Sequence, residues 1–319
     1  VRGGRPRAEV AVVVDAGLGD SPGPAVIGAV RVLQQLRHQF DVVDVEAPLD
    51  AFKVVVVPDS TPIDQSLATR LQVYVDAGGA LLLSAAAADA SQEGKGLIRT
   101  LGWEVVGRAP FSTTFLRLAS SEWLTPPVPR DVRVHGESLL LDDRVQAETV
   151  VELVYPYFER SFDHFSGHSY TPPEKPSGRA AVARNGKVVV FAVPLFAGVA
   201  DEGNEQYRQL IGECLHHLLP EPLLRAGGPV HLETAVVETD NATVVHLLSF
   251  VPARLGSDLD LVYDPFPLVD IDIALRLENT PRRVTLQPAG QELTFWDNGS
   301  YTSTRVTLLY GHGIVAFEK

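Results

Sequence analysis

The chain has 319 residues, 45% hydrophobic and 21% charged, which is enough apolar material for about two domains with buried cores and argues against global disorder. Its 27 basic and 40 acidic residues leave a net charge of −13, a field that repels nucleic acid and anionic membranes. One cysteine excludes an internal disulfide framework and any cysteine-based zinc or iron–sulfur centre. No apolar run approaches the roughly 18 residues needed to cross a bilayer as a helix. The chain starts at Val1 and contains no methionine, so it is expected to be a processed or trimmed piece of something longer. No signal peptide opens it, residues 1–8 read as a linker, and the lone cysteine points to the cytoplasm.

The first half reads as α/β. Glu9 to Asp15 is a β-branched run of the kind buried on both sheet faces. Ala25 to Phe40 repeats Val26, Ile27, Val30, Leu33 and Leu36 at helical spacing. Strands follow at Asp41 to Val45 and Lys53 to Val57, then caps and breakers at Asp59-Ser60-Thr61-Pro62, a helix from about Asp64 to Ala77, and a fourth strand, Ala80 to Ser84. Such alternation predicts a parallel, doubly wound sheet of the flavodoxin-like, class I amidotransferase-like kind. After Leu101 the pattern loosens into shorter strands around Val105, Phe111 to Leu118 and Val132 to Leu141. A hairpin runs from Arg179 to Arg184, through Asn185-Gly186, and from Lys187 to Phe196. An amphipathic helix, Glu205 to Leu219, ends at Pro220 and Pro222. The α/β domain is therefore expected over residues 9–222.

From Gly228 the character changes. Val230 to Thr239, Ala242 to Val251, Leu268 to Leu277, Arg283 to Gln287 and Arg305 to Lys319 are short strands between turn signals, which predicts an all-β sandwich over residues 228–319.

An open parallel sheet binds ligands beyond the carboxyl ends of its strands. The first such turn, Asp15-Ala16-Gly17-Leu18-Gly19-Asp20, lacks the third glycine of a dinucleotide fingerprint and carries two acids where a pyrophosphate needs amides. The turn after the fourth strand, Leu83-Ser84-Ala85-Ala86-Ala87-Ala88, has neither a cysteine nor a glycine-flanked serine, so a reactive elbow is missing. Cys214 falls on an apolar helical stripe and reads as a buried thiol. His216 and His217 suit the negative end of a helix dipole.

Val154 to Pro173 is the most unusual stretch. It holds six aromatic rings beside Glu159, Arg160, Asp163, His164 and His168. Such rings give large contact area at small entropy cost, so Tyr155, Tyr157, Arg160, Asp163, His164, Phe165, His168 and Tyr170 are candidates for an interface or a sugar contact. Zinc held by His164 and His168, four apart, and acid–base work by Asp163 with His164 are the chemical alternatives. The alternations Asp258-Leu259-Asp260-Leu261 and Asp270-Ile271-Asp272-Ile273 read as solvated strand faces, with calcium as the alternative. Trp296 and Tyr301, around Asp297-Asn298-Gly299, are either hairpin packing or a platform for a sugar.

Taken in order, Phe40-Asp41-Val42-Val43-Asp44, Lys53 to Pro58, Tyr74-Val75-Asp76-Ala77-Gly78-Gly79, Ser166 to Pro173, Val190 to Phe196 and Gly311-His312-Gly313-Ile314-Val315 resemble a known arrangement. It is that of the trimerisation and C-terminal domains of family 42 bacterial beta-galactosidases, and more nearly of a set of hypothetical glycosyl hydrolases. The resemblance implies a parent glycoside hydrolase, beta-galactosidase-like or fucosidase-like, whose catalytic carboxylates belong to an upstream (β/α)8 barrel of the same protein. It also implies a homo-oligomer, with no catalytic residue, cofactor or metal in this chain. A carbohydrate-binding module and a stand-alone hydrolase using Ser84 or the Asp163/His164/His168 group are the alternatives.

Overall fold

The computed structural model describes residues 3–15, 22–118, 130–254, 256–262 and 265–319. They fall into two units. One combines Val10–Val32 with Val42–Pro220; the other combines the residues up to Glu9 with Leu33–Asp41 and Glu221–Lys319.

The larger unit is built on a nine-stranded mixed sheet. Its order is Phe40–Asp44, Val10–Val14, Val54–Val57, Ala80–Ser84, Val188–Phe191, Pro173–Asn185, Glu148–Pro156, Phe115–Arg117 and Asp131–Arg133. Val10–Val14, Val54–Val57, Ala80–Ser84 and Val188–Phe191 pair in parallel, and from Pro173–Asn185 to Asp131–Arg133 the strands pair antiparallel. Three of the parallel strands are buried at every residue, and for that reason they read as near-continuous apolar runs, with Ser84 the one polar residue. Helix Gln65–Asp76 starts where Asp64 Oδ1 accepts from Leu67 N at 2.8 Å, and it ends at Gly78 (φ 90°). Ser91 and Asn204 cap Gln92–Thr100 and Glu205–Leu218 in the same way.

The hairpin differs in its second arm. Asn185 pairs with Val188 around Gly186 (φ 56°), as the Asn-Gly pair requires, yet the strand stops at Phe191 rather than Phe196. Pro194 has no N–H to continue a ladder, and Leu195–Glu202 forms a helix closed by Gly203 in the left-handed region.

Among the described residues the smaller unit contains two larger antiparallel sheets and a two-stranded one, Ala253–Arg254 with Asp260–Leu261. One runs Arg5–Pro6, Leu232–Glu238, Ala242–Ser249, His312–Glu318, Arg283–Gln287, Gln291–Glu292; the other runs Leu224–Ala226, Leu268–Arg276, Tyr301–Leu308, Phe295–Asn298. Both feed one apolar cluster: Leu232, Val236, Val245, Leu247, Val315 and Phe317 come from the first, and Leu224, Ile271, Ile273, Leu275, Val306 and Leu308 from the second. The expected strand from Arg305 to Lys319 is two strands, broken around Gly311, where a Cβ would overlap the Phe250 ring at 2.1 Å. Arg5–Pro6, expected as linker, pairs with Val237 and Glu238 instead, and the Arg7 guanidinium bonds Glu238.

Candidate functional site

The carboxyl ends of the parallel strands are where this kind of sheet presents ligands. The turn Ala16–Asp20 lies outside the described residues. At the next corner Ser84 ends its strand in ordinary extended backbone (φ −78°, ψ 129°) and leads straight into the helix Ala85–Asp89. It is 0% exposed and its Oγ has no hydrogen-bond partner. A nucleophile needs access to its substrate, and Ser84 has none.

Facing Ser84 is Asp59, which the sequence reading treated only as part of a cap-and-breaker run. Its Oδ2 accepts from Ala197 N at 3.0 Å, in the first turn of Leu195–Glu202. That helix has Pro194 at its N-cap and therefore no side-chain cap of its own, so Asp59 supplies the acceptor from a distant loop. Oδ1 is shut off from solvent and unpartnered. Burial pushes the carboxyl pKa up from 3.8 to about 6, outweighing the opposing pull of the backbone amides of Ala197 and Phe196. The corner thus holds a serine and an acid that are both shut off from solvent and from any substrate, and its chemistry is that of packing.

The aromatic segment is a loop between Glu148–Pro156 and Pro173–Asn185, projecting beyond their last pair, Pro156 with Pro173. Its base is fastened. Thr171 Oγ1 donates to Phe158 O at 2.7 Å, Ser112 N donates to Glu159 Oε2 at 2.8 Å, and Arg160 bonds the Ser169 carbonyl. Tyr155 packs on Phe111 with centroids 5.1 Å apart, and Tyr170 packs on Phe115 with Arg133 over its ring at 4.9 Å. Its tip is open: Tyr157, Phe165 and Phe162 are 61%, 69% and 95% exposed. Phe162, outside the sequence-based candidate set, is the most exposed of the three.

The two histidines do not converge. His164 lies flat on Phe158 (3.7 Å, 9°), Asp163 and His168 are exposed, and the segment is not helical, so the four-residue spacing brings no ligands onto one face. Among the described residues no group of three or more His, Cys, Asp or Glu could hold a metal ion. One acid of each alternation pairs with an arginine: Asp272 with Arg305 at 2.7 Å, and Asp260 with Arg254. His217 Nε2 lies 3.1 Å from Gly186 O. A cavity of about 600 Å3, lined by Leu49, Phe52, Tyr74, Lys187 and Leu218 among others, lies at the opposite, amino ends of the parallel strands.

Cys214 is buried on helix Glu205–Leu218, and burial pushes its thiol up to about 12. A thiol-specific reagent at pH 8 should leave it untouched in the folded chain and titrate one thiol in denaturant. Prompt native labelling would contradict that burial.

Against this geometry the resemblance can be placed. Residues 31–98 match the family model of the beta-galactosidase trimerisation domain. Over its full length the chain superposes on alpha-L-fucosidase isoenzyme 2 from Paenibacillus thiaminolyticus with a TM-score of 0.90 and 22% identity, covering 50% of that chain. A GH42 beta-galactosidase from G. stearothermophilus (TM-score 0.63, 13% identity) is matched over 98% of this chain and 40% of that one. A beta-galactosidase from Bacillus circulans sp. alkalophilus (0.62, 15%) is matched over 99% and 42%. The chain therefore spans half or less of these structures, and at such identities the shared property is the fold. No curated protein matches.

Proposed function

We propose that this chain is the non-catalytic scaffold and oligomerisation region of a glycoside hydrolase whose catalytic barrel precedes it in the same polypeptide. The observation that carries the reading is the trimerisation-domain match over residues 31–98, within a fold that occupies half of a fucosidase. The buried, unstrained Ser84 supports it, because bond-breaking then falls to another part of the protein. In this reading the larger unit is a flavodoxin-like, amidotransferase-like domain that has lost its elbow, and the smaller one a β-sandwich. Copies of the chain are the partners, and the open rings of the aromatic loop form part of the contact between them. Three exposed rings on a fastened loop suit a buried interface, where truncating a central aromatic commonly costs about 2 kcal/mol or more.

The chain alone should leave aryl galactosides and fucosides unhydrolysed and sediment as a homotrimer. Replacing Phe162 and Phe165 together by serine should shift it towards monomer with its thermal unfolding little changed. A monomer at every concentration, or turnover abolished by Ser84→Ala, would overturn the proposal.

A further inference from the structure

The outer face of the four-stranded sheet in the smaller unit carries a second feature, independent of oligomerisation. Register places Arg225 opposite Ala274, Ala274 opposite Ser303, and Ser303 opposite Trp296, so one row crosses all four strands. The middle of that row is small, and Gly227 continues the small floor beside Asp272, where even a Cβ would meet the Asp272 backbone at 3.6 Å. A trough of about 460 Å3 results, within the roughly 300–1,000 Å3 typical of small-molecule sites. Trp296 forms one wall and is 46% exposed. Asn298, Ser303, Asp272 and Arg305 also line it.

The chemistry narrows the ligand. A half-exposed indole beside a small floor offers an apolar platform for one face of a ring, with fixed hydrogen-bonding groups around its edge. The charges are already engaged. Arg305 Nε bonds Asp272 Oδ1 at 2.7 Å, and Arg225 stacks over the Tyr301 ring at 4.4 Å. A phosphate or carboxylate would have to break these contacts, whereas a neutral polyol can add to them: carboxylate, amide and hydroxyl groups bond vicinal hydroxyls without a change of charge. Trp296 and Tyr301 are also the residues that the sequence offers as either hairpin packing or a sugar platform. The structure separates them, because Tyr301 is buried with its hydroxyl donating to Pro222 O at 2.6 Å while Trp296 stays open.

We infer that this trough is a binding site for a neutral glycan, with Trp296 as the stacking platform and Asp272, Asn298 and Ser303 as the hydroxyl-reading groups. The experiment is a titration of the full chain with galactose-, fucose- and arabinose-containing oligosaccharides, read by calorimetry and by tryptophan fluorescence. Expected is saturable binding to at least one of them, weakened at least tenfold by Trp296→Ala and by Ala274→Leu, which fills the floor. Tyr310→Ala, at an exposed aromatic outside the trough, should leave it unchanged. The two trough variants act from opposite directions, so misfolding of one leaves the other decisive. Silence across the panel overturns the inference, as does affinity indifferent to both variants. So does a Trp296→Ala chain that loses self-association while keeping its sugar affinity, since the trough would then be a protein contact.

Discussion

Valine in place of Gly28 should destabilise the larger unit by about 3 kcal/mol or more, a large part of the roughly 5–15 kcal/mol that holds a typical domain folded. Gly28 lies in helix Pro24–Gln35. A Cβ there would stand 1.8 Å from Phe196 O, 2.7 Å from Phe196 C and 3.3 Å from Ala200 N. These are backbone atoms of helix Leu195–Glu202, so no side chain can rotate away, and the two helices can accommodate the methyl only by separating. The same approach lets Arg31 reach the Ala200 carbonyl at 3.2 Å, a bond that separation would also stretch. Gly96 provides the contrast: it lies inside helix Gln92–Thr100 with nothing within 4 Å of a Cβ. Alanine there should stabilise by about 0.5–1 kcal/mol, through helix propensity alone. Urea unfolding of Gly28→Ala, Gly28→Val and Gly96→Ala gives the comparison, and a Gly28→Ala chain within about 0.5 kcal/mol of the parent would refute the packing argument.

That helix contact shows where sequence reading stops. The strands Val54–Val57 and Ala80–Ser84 are legible because a strand buried on both faces is apolar along nearly its whole length, and Arg283–Gln287 because turn residues bracket it. Asn185-Gly186 announces its own turn. Nothing local announces that Val188–Phe191 will lie parallel to Ala80–Ser84, about a hundred residues away, with Phe191 opposite Ser84. Nor does the short apolar run after Phe191 distinguish a strand from the helix that Pro194 starts. The aromatic loop is visible as composition, but its fastening by Ser112 to Glu159 joins segments 47 residues apart. The trough is less legible still. Arg225, Ala274, Ser303 and Trp296 come from four separate strands, and only register sets them in a row.

Asp59→Asn should raise stability at neutral pH and leave it nearly unchanged in acid. The folded-state pKa of Asp59, about 6, is above the unfolded value near 3.8, so the folded chain holds the proton more tightly. The neutral acid therefore favours folding. That contribution is present below about pH 4 and is lost as pH rises to and beyond 6, leaving at pH 7–8 a buried carboxylate whose penalty is about 3 kcal/mol. Asparagine resembles the protonated acid. Its carbonyl can still accept from Ala197 N, and its amide can donate to Ser84 Oγ, which has no partner now. For a unit of this size the gain corresponds to a melting temperature higher by about 5–10 °C at pH 7.5. The difference between parent and variant should shrink steadily between pH 6.5 and 4. Other carboxylates, such as Glu205 beside Arg208, are lowered rather than raised and weaken the parent in acid, but they do so equally in the variant and cancel from the difference. A variant less stable than the parent at pH 7.5, by a deficit that fades in acid, would mean that the ionised Asp59–Ala197 contact outweighs the cost of burying the charge, and that this corner of the sheet is held together by its acid.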